Sequence, residues 1–147
     1  MDKKIEPLRV VLDTGVLISA MLFSREKWNW LRDAWIWQRI RPIVCKSTTL
    51  ELIQVLNYPK FQLTASEGRA LLEEFLPFSE TVVEPQETKE LAQCRDPNDQ
   101  VFINLALEQL ADYLVSGDSD LLEYPAGKVC IVSPAEHRKL LEKTLLD

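Results

Sequence analysis

DPNDQVFINLALEQLADYLVSGDSDLL occupies residues 96–122. Pro97 suits the first position of a helix, where its missing N–H costs nothing. Val101, Phe102, Leu105 and Ala106 then recur at helical spacing. The pattern changes at DYLVS, residues 112–116, to a short apolar run bounded by turn residues, which predicts a strand. One glycine later the chain sets down Asp118 and Asp120 before turning apolar again. A helix that leads into a buried strand ending on acids is one unit of an alternating α/β chain.

The same alternation continues on both sides of this stretch. LRVVLD, residues 8–13, predicts a strand buried on both faces. A helix follows from Thr14, and the spacing predicts a second over residues 25–40. RPIVC, residues 41–45, predicts a strand, with Pro42 tolerated near its start. KSTTLELIQVLNYP begins a helix at a Ser/Thr cluster and stops before Pro59. Residues 66–76 predict another helix, stopped by Pro77. Strands are expected at residues 80–84 and 128–133, and a closing helix at 134–146. Five short apolar runs separated by helices imply an α/β/α sandwich around a parallel, Rossmann-like sheet, formed by residues 1–147 as a single domain.

Composition narrows the function. The 147 residues are 46% apolar and 27% charged, as in ordinary globular proteins. No apolar run approaches the ~20 residues that cross a bilayer, and no signal peptide is expected at the N-terminus. Cys45, Cys94 and Cys130 have neither zinc-site nor disulfide spacing, which suits a reducing cytoplasm. Cys45 and Cys130 fall in strand-like runs and are expected in the core. The net charge of −6 argues against a protein that coats nucleic acid through a basic face. It leaves room for an enzyme acting on a polyanion through metal ions, which invert the sign of an acidic patch.

Ligands of open α/β sheets bind beyond the carboxyl ends of the strands. Asp13 ends the first strand, and Asp118 lies just past the fourth. Asp99 opens the helix before that strand, and Glu51 lies early in the helix after the second. Singly, each has a plain alternative. Asp96 and Asp99 can cap their helix, Glu51 can be a first-turn surface acid, and Asp118 and Asp120 can be turn and cap residues. Asp13 is different, because an acid ending a buried strand is costly without a cation. A common requirement for all of them is a hard divalent ion such as Mg²⁺ or Mn²⁺, which takes oxygen ligands and can activate a water against a phosphodiester. The chain has no GxxxxGK[ST] phosphate loop. His137, the sole histidine, is expected on the surface of the closing helix. Arg25, Lys27, Lys46 and Arg95 are the candidate phosphate contacts.

VVLDTGVLISAML, STTLELIQVL and the 96–122 stretch together resemble the acid-bearing motifs of PIN-domain ribonucleases, in the expected order and over nearly the whole chain. Within that family they resemble the toxins of toxin–antitoxin pairs. The resemblance implies metal-dependent endonucleolytic cleavage of RNA, with Mg²⁺ or Mn²⁺ as cofactor and an antitoxin protein as partner. It implies Asp13, Glu51, Asp99 and Asp118 as the catalytic and metal-binding acids and Asp120 as a further acid. Thr14 and Ser116 match the supporting hydroxyls. Gly15 departs from the pattern, since the family usually has Asn after the Asp-Thr pair. That removes an orienting amide and no metal ligand.

Four tryptophans fall within residues 28–37. At least two rings are expected in the core. The helix is also expected to help form a homodimer or an antitoxin groove, with base stacking on RNA as the lesser alternative. Two other functional classes compete with the nuclease. One is a PIN-like module that binds RNA or protein without cutting. The other is a receiver-type phosphoacceptor, which needs a lysine after the last strand, whereas Lys128 precedes it.

Overall fold

A computed structural model of the protein describes residues 6–23, 25–86, 94, 96–125 and 127–146. Five parallel strands form one sheet in the order β3-β2-β1-β4-β5. The strands are β1 (Leu8–Leu12), β2 (Ile40–Val44), β3 (Glu80–Thr81), β4 (Tyr113–Val115) and β5 (Ile131–Val132). The helices are α1 (Thr14–Leu22), α2 (Arg25–Ile36), α3 (Lys46–Leu56), α4 (Ala65–Glu73), α5 (Gln100–Glu108), α6 (Ser119–Leu122) and α7 (Pro134–Leu146). Among the described residues, no helix is long and apolar enough to cross a membrane.

Alternation along the strands divides the core in two, because successive side chains point to opposite faces. Val10, Leu12, Ile40, Val44, Val115 and Val132 face one apolar cluster, which α1, α2, α3 and α7 cover with Leu17, Trp35, Leu52 and Leu141. Val11, Ile43 and Leu114 face the other, covered by Phe102, Ile103 and Leu105 of α5 and Leu121 of α6. This is the expected α/β/α sandwich. Strand order reverses between β1 and its neighbours β2 and β4, so the crevice at the carboxyl ends opens where Asp13 and Asp118 emerge. At the opposite ends of the strands Arg9 donates to Glu80 at 2.7 Å and to the carbonyl of Gln109 at 2.6 Å.

Several boundaries differ from expectation. The second helix stops at Ile36 rather than residue 40. Gln38 adopts a left-handed φ of 54°. Its N–H reaches the carbonyl of Trp35, and the N–H of Arg39 reaches that of Ala34 at 2.9 Å. This is a Schellman closure made without glycine. Ile40 is thereby freed to open β2 opposite Leu8. The outer strands β3 and β5 are shorter than the runs at 80–84 and 128–133, because each has only one neighbouring strand to pair with. Cys130 therefore lies outside β5 and is exposed, not a core residue, whereas Cys45 is buried. Pro97 opens a 3-10 turn, Pro97–Asp99, and α5 proper starts at Gln100. His137 is fully buried, contrary to the surface position expected, because α7 turns that face onto Trp30 and Tyr113. Of the four tryptophans, Trp35 is buried, Trp28 and Trp30 pack partly against the core, and Trp37 is 76% exposed.

Candidate metal centre

β1 ends at Leu12, and Asp13 turns the chain into α1 as its N-cap. Its Oδ1 accepts the N–H of Val16 at 2.8 Å, and its own N–H holds the carbonyl of Val115 on β4 at 3.1 Å. Its Oδ2 accepts the hydroxyl of Ser116, which in turn accepts the N–H of Asp118 at 2.9 Å. One buried hydroxyl thus couples the acid after β1 to the acid after β4. Asp118 caps the short helix α6 by accepting the N–H of Asp120 at 2.9 Å. Thr14, the first residue of α1, donates its hydroxyl to Glu51 on α3.

Asp99 stands at the junction of the 3-10 turn and α5. Asp96 caps that turn through the N–H of Asn98, at 2.9 Å, while the Asp99 side chain makes no capping bond. Its Oδ2 is buried without a hydrogen-bond partner. Burial first, and then the charges of Asp118, Asp96 and Asp13, push its carboxyl up to about 7. Burial likewise raises Asp13 despite its two hydrogen bonds, with Asp118 and Glu51 adding to the rise. Among the described residues, Asp13, Glu51, Asp99 and Asp118 take part in no ion pair.

Asp99, Asp118 and Asp120 each offer a carboxylate oxygen, and these oxygens lie within 4.8 Å of one another. Asp13, Thr14, Glu51, Asp99 and Asp118 line one cleft of about 780 Å³. The three-acid group does not include Asp13 or Glu51, which stand along the same wall. Lys60, missed in the sequence, also lines the cleft; it sits on the 3-10 turn Pro59–Phe61, where no motif marks it. Lys27 and Lys46 are exposed and do not line it. Arg95 and the side chain of Arg25 lie outside the described residues. Apart from Ser19, the rest of the cleft is apolar or glycine and includes Phe23, Trp28, Val55 and Phe61.

A PIN-domain family model matches residues 9–120, a span holding every one of these acids. The chain belongs to the PIN-domain family. No curated protein matches the chain. Among solved structures, this PIN domain is similar to a chain of VapBC2 from Rickettsia felis bound to a DNA fragment from their promoter. The two share 15% identity with a TM-score of 0.61, over 86% of this chain and 98% of that one. It is also similar to PAE2754 from Pyrobaculum aerophilum, at 12% identity and a TM-score of 0.62, over 92% of this chain and 90% of that one. At these identities the likeness concerns the fold.

The donor set suits a hard divalent cation. It is all oxygen, carries excess negative charge, and contains a buried carboxylate oxygen with no other partner. Its strain without metal is measurable. Asp99 is raised, so the unfolded chain loses this proton first, and ionisation costs stability as pH rises from about 4 to about 7. In EDTA at pH 7.5, Asp99→Asn is therefore expected to stabilise by about 1 kcal/mol, a rise of ~2–4 °C in melting temperature. Below about pH 4 the two proteins should melt alike. Added Mn²⁺ should raise the parent more than the variant; equal shifts would show that Asp99 is no ligand.

Proposed function

We propose that this PIN domain is a Mg²⁺- or Mn²⁺-dependent endoribonuclease, the toxin of a toxin–antitoxin pair acting in the cytoplasm. The observation that carries the nuclease part is the group formed by Asp99, Asp118 and Asp120, with an unpartnered Asp99 oxygen, at a cleft whose lining joins Asp99 and Asp118 to Asp13 and Glu51. The motif resemblance to toxins and the likeness to the VapBC2 chain support the toxin part. The odd number and wide spacing of Cys45, Cys94 and Cys130 support a reducing compartment. At the end of α2, Ile36 and Trp37 are exposed apolar surface for a second copy or an antitoxin.

In this reading Asp99, Asp118 and Asp120 hold the cation, with Asp13 and Glu51 completing the negative field. A bound divalent ion supplies an activated water at neutral pH and neutralises charge on phosphoryl oxygens. The chain supplies orientation. Val16 and Ser116 fix both oxygens of Asp13, and Thr14 fixes Glu51. Lys60 offers the substrate phosphates a cation otherwise absent from the described cleft lining. His137 lies outside that lining, so no imidazole serves as general acid there. Cleavage of single-stranded RNA in Mn²⁺ and its loss in EDTA is the deciding experiment. RNA binding without cleavage in any divalent metal would instead establish the binding-module reading, which Gly15 keeps in play.

Gly15 can be tested directly. Its φ is not left-handed, and a Cβ there would meet Asp13 Oδ1 at 3.7 Å, an ordinary contact. Gly15→Asn thus fits and brings an amide beside the Asp13 carboxylate. It is expected to raise activity about 10-fold at limiting Mn²⁺, the low end of what an outer orienting partner contributes, with the gain vanishing at saturation. Unchanged metal affinity in the folded variant would show that Gly15 is no defect.

A further inference from the structure

The acids occupy only part of the cleft. Four aromatic residues line it; Phe102 is buried in the core, whereas Phe23, Trp28 and Phe61 are not, and Lys60 lines the cleft with them. Phe23 closes α1, whose first turn follows Asp13. Nine helical residues put the ring about 13 Å along the axis from the acid-bearing end. It is 54% exposed and stands apart from both apolar clusters, so core packing does not account for it. Phe61 and Trp28 are half-buried, each anchored against the core while still lining the cleft. The Lys60 ammonium lies 5.1 Å from the Phe61 ring centroid. Trp28 is stacked on Trp30 at 6.4 Å, and Trp30 meets the edge of His137 at 5.8 Å, which braces the wall from behind.

We infer that Phe23, Trp28 and Phe61 form a base-binding subsite, on which unpaired nucleobases flanking the cleaved phosphate stack while Lys60 holds the strand's backbone. This deepens the nuclease reading and rests on it. Rings and a cation share one cleft with the acids, so a strand whose phosphate reaches the acids lies in the cleft that the rings line. Every base offers a π-face, so such a wall tolerates many sequences. A paired strand keeps its faces stacked internally and cannot use it. An aliphatic wall would serve an apolar peptide equally well; flat rings next to a cation favour planar bases on a phosphate backbone.

The test is fluorescence polarisation with a labelled eight-nucleotide single-stranded RNA, a length-matched abasic ribose-phosphate oligomer and a paired hairpin. Ca²⁺ replaces Mn²⁺, and strand integrity is followed on gels. The parent should bind the RNA more tightly than either control. Phe23→Ala should weaken RNA binding about 5- to 150-fold, the range for one stacked base. Abasic binding should stay unchanged. Phe23→Leu, which keeps apolar bulk without a π-face, should lose most of the same affinity, and Phe23→Tyr should restore it. Phe61→Leu provides a second ring should one variant misfold. Equal affinity of parent and both leucine variants for RNA would overturn the subsite, and so would equal affinity of the parent for RNA and abasic strand. Cleavage by the parent in Mn²⁺ is scored separately. Its survival alongside either result leaves the nuclease reading standing, whereas base discrimination without cleavage supports the subsite and rejects the nuclease. Loss of a protein partner's binding in Phe23→Leu, with RNA binding intact, would also overturn the proposal.

Discussion

Asp13→Asn should lower Mn²⁺-dependent RNA cleavage by more than about 100-fold, beyond what losing an outer orienting partner costs, and leave the fold intact. Asparagine is as good an N-cap as aspartate, so the bond from Val16 survives. The amide replaces one carboxylate oxygen, and the Ser116 hydroxyl loses its acceptor there. That local loss is offset because the variant no longer ionises a buried group whose carboxyl is raised by desolvation. What cannot be offset is the missing negative charge facing the proposed metal. Circular dichroism and melting curves check the fold, and cleavage across an Mn²⁺ titration checks the site. A variant that cuts normally would remove Asp13 from the mechanism.

The largest stability effect is expected at His137. Burial alone lowers its imidazole to about 4, and the rings recorded against it, Trp30 and Tyr113, carry no charge. A depressed base binds its proton later in the folded state than in the unfolded chain. Stability is therefore full above about pH 6.5 and falls as pH drops from there to about 4. The loss amounts to about 3 kcal/mol at 1.36 kcal/mol per pKa unit. The raised acids of the cleft work the opposite way, gaining stability over the same descent. The parent's own pH profile mixes the two, so the informative quantity is its difference from His137→Leu in urea unfolding at pH 7, 5.5 and 4. Both ring nitrogens are without hydrogen-bond partners, so leucine should already be stabilising at pH 7. Its advantage should widen by about 3 kcal/mol at pH 4. A constant difference across that range would show that His137 titrates freely in the folded protein.

The parallel sheet was readable because its strands are short β-branched runs buried on both faces, and the acids because they punctuate those runs. Val10, Val11 and Leu12 lead into Asp13, and Leu114 and Val115 lead through Ser116 and Gly117 to Asp118. The end of α2 was not readable, because Gln38 takes a left-handed conformation that composition assigns to glycine or asparagine. His137 was misplaced because a polar residue on a charged helix suggests solvent, and nothing local records that Trp30 lies against it. The role of Asp99 was ambiguous between cap and ligand until Asp96 was seen to take the cap. Lys60 and Phe23 carry no motif; only the tertiary fold carries them to the acids.

The bond between Ser116 and Asp13 also bears on how the chain is born. The two residues are 103 positions apart, and β1 in the centre of the sheet cannot pair with β4 until the latter exists. At about 5–20 residues per second, roughly 5–20 s of translation separate the emergence of the first acid from that of the fourth. During that interval the nascent chain gains Asp13, then Glu51 and then Asp99, always without Asp118 or Asp120, so no truncated product ending before residue 118 holds the three-acid group. The three-acid group is thus the last part of the cleft's acidic face to exist, and the residues of α1 and α3 have left the ribosome before that group can form.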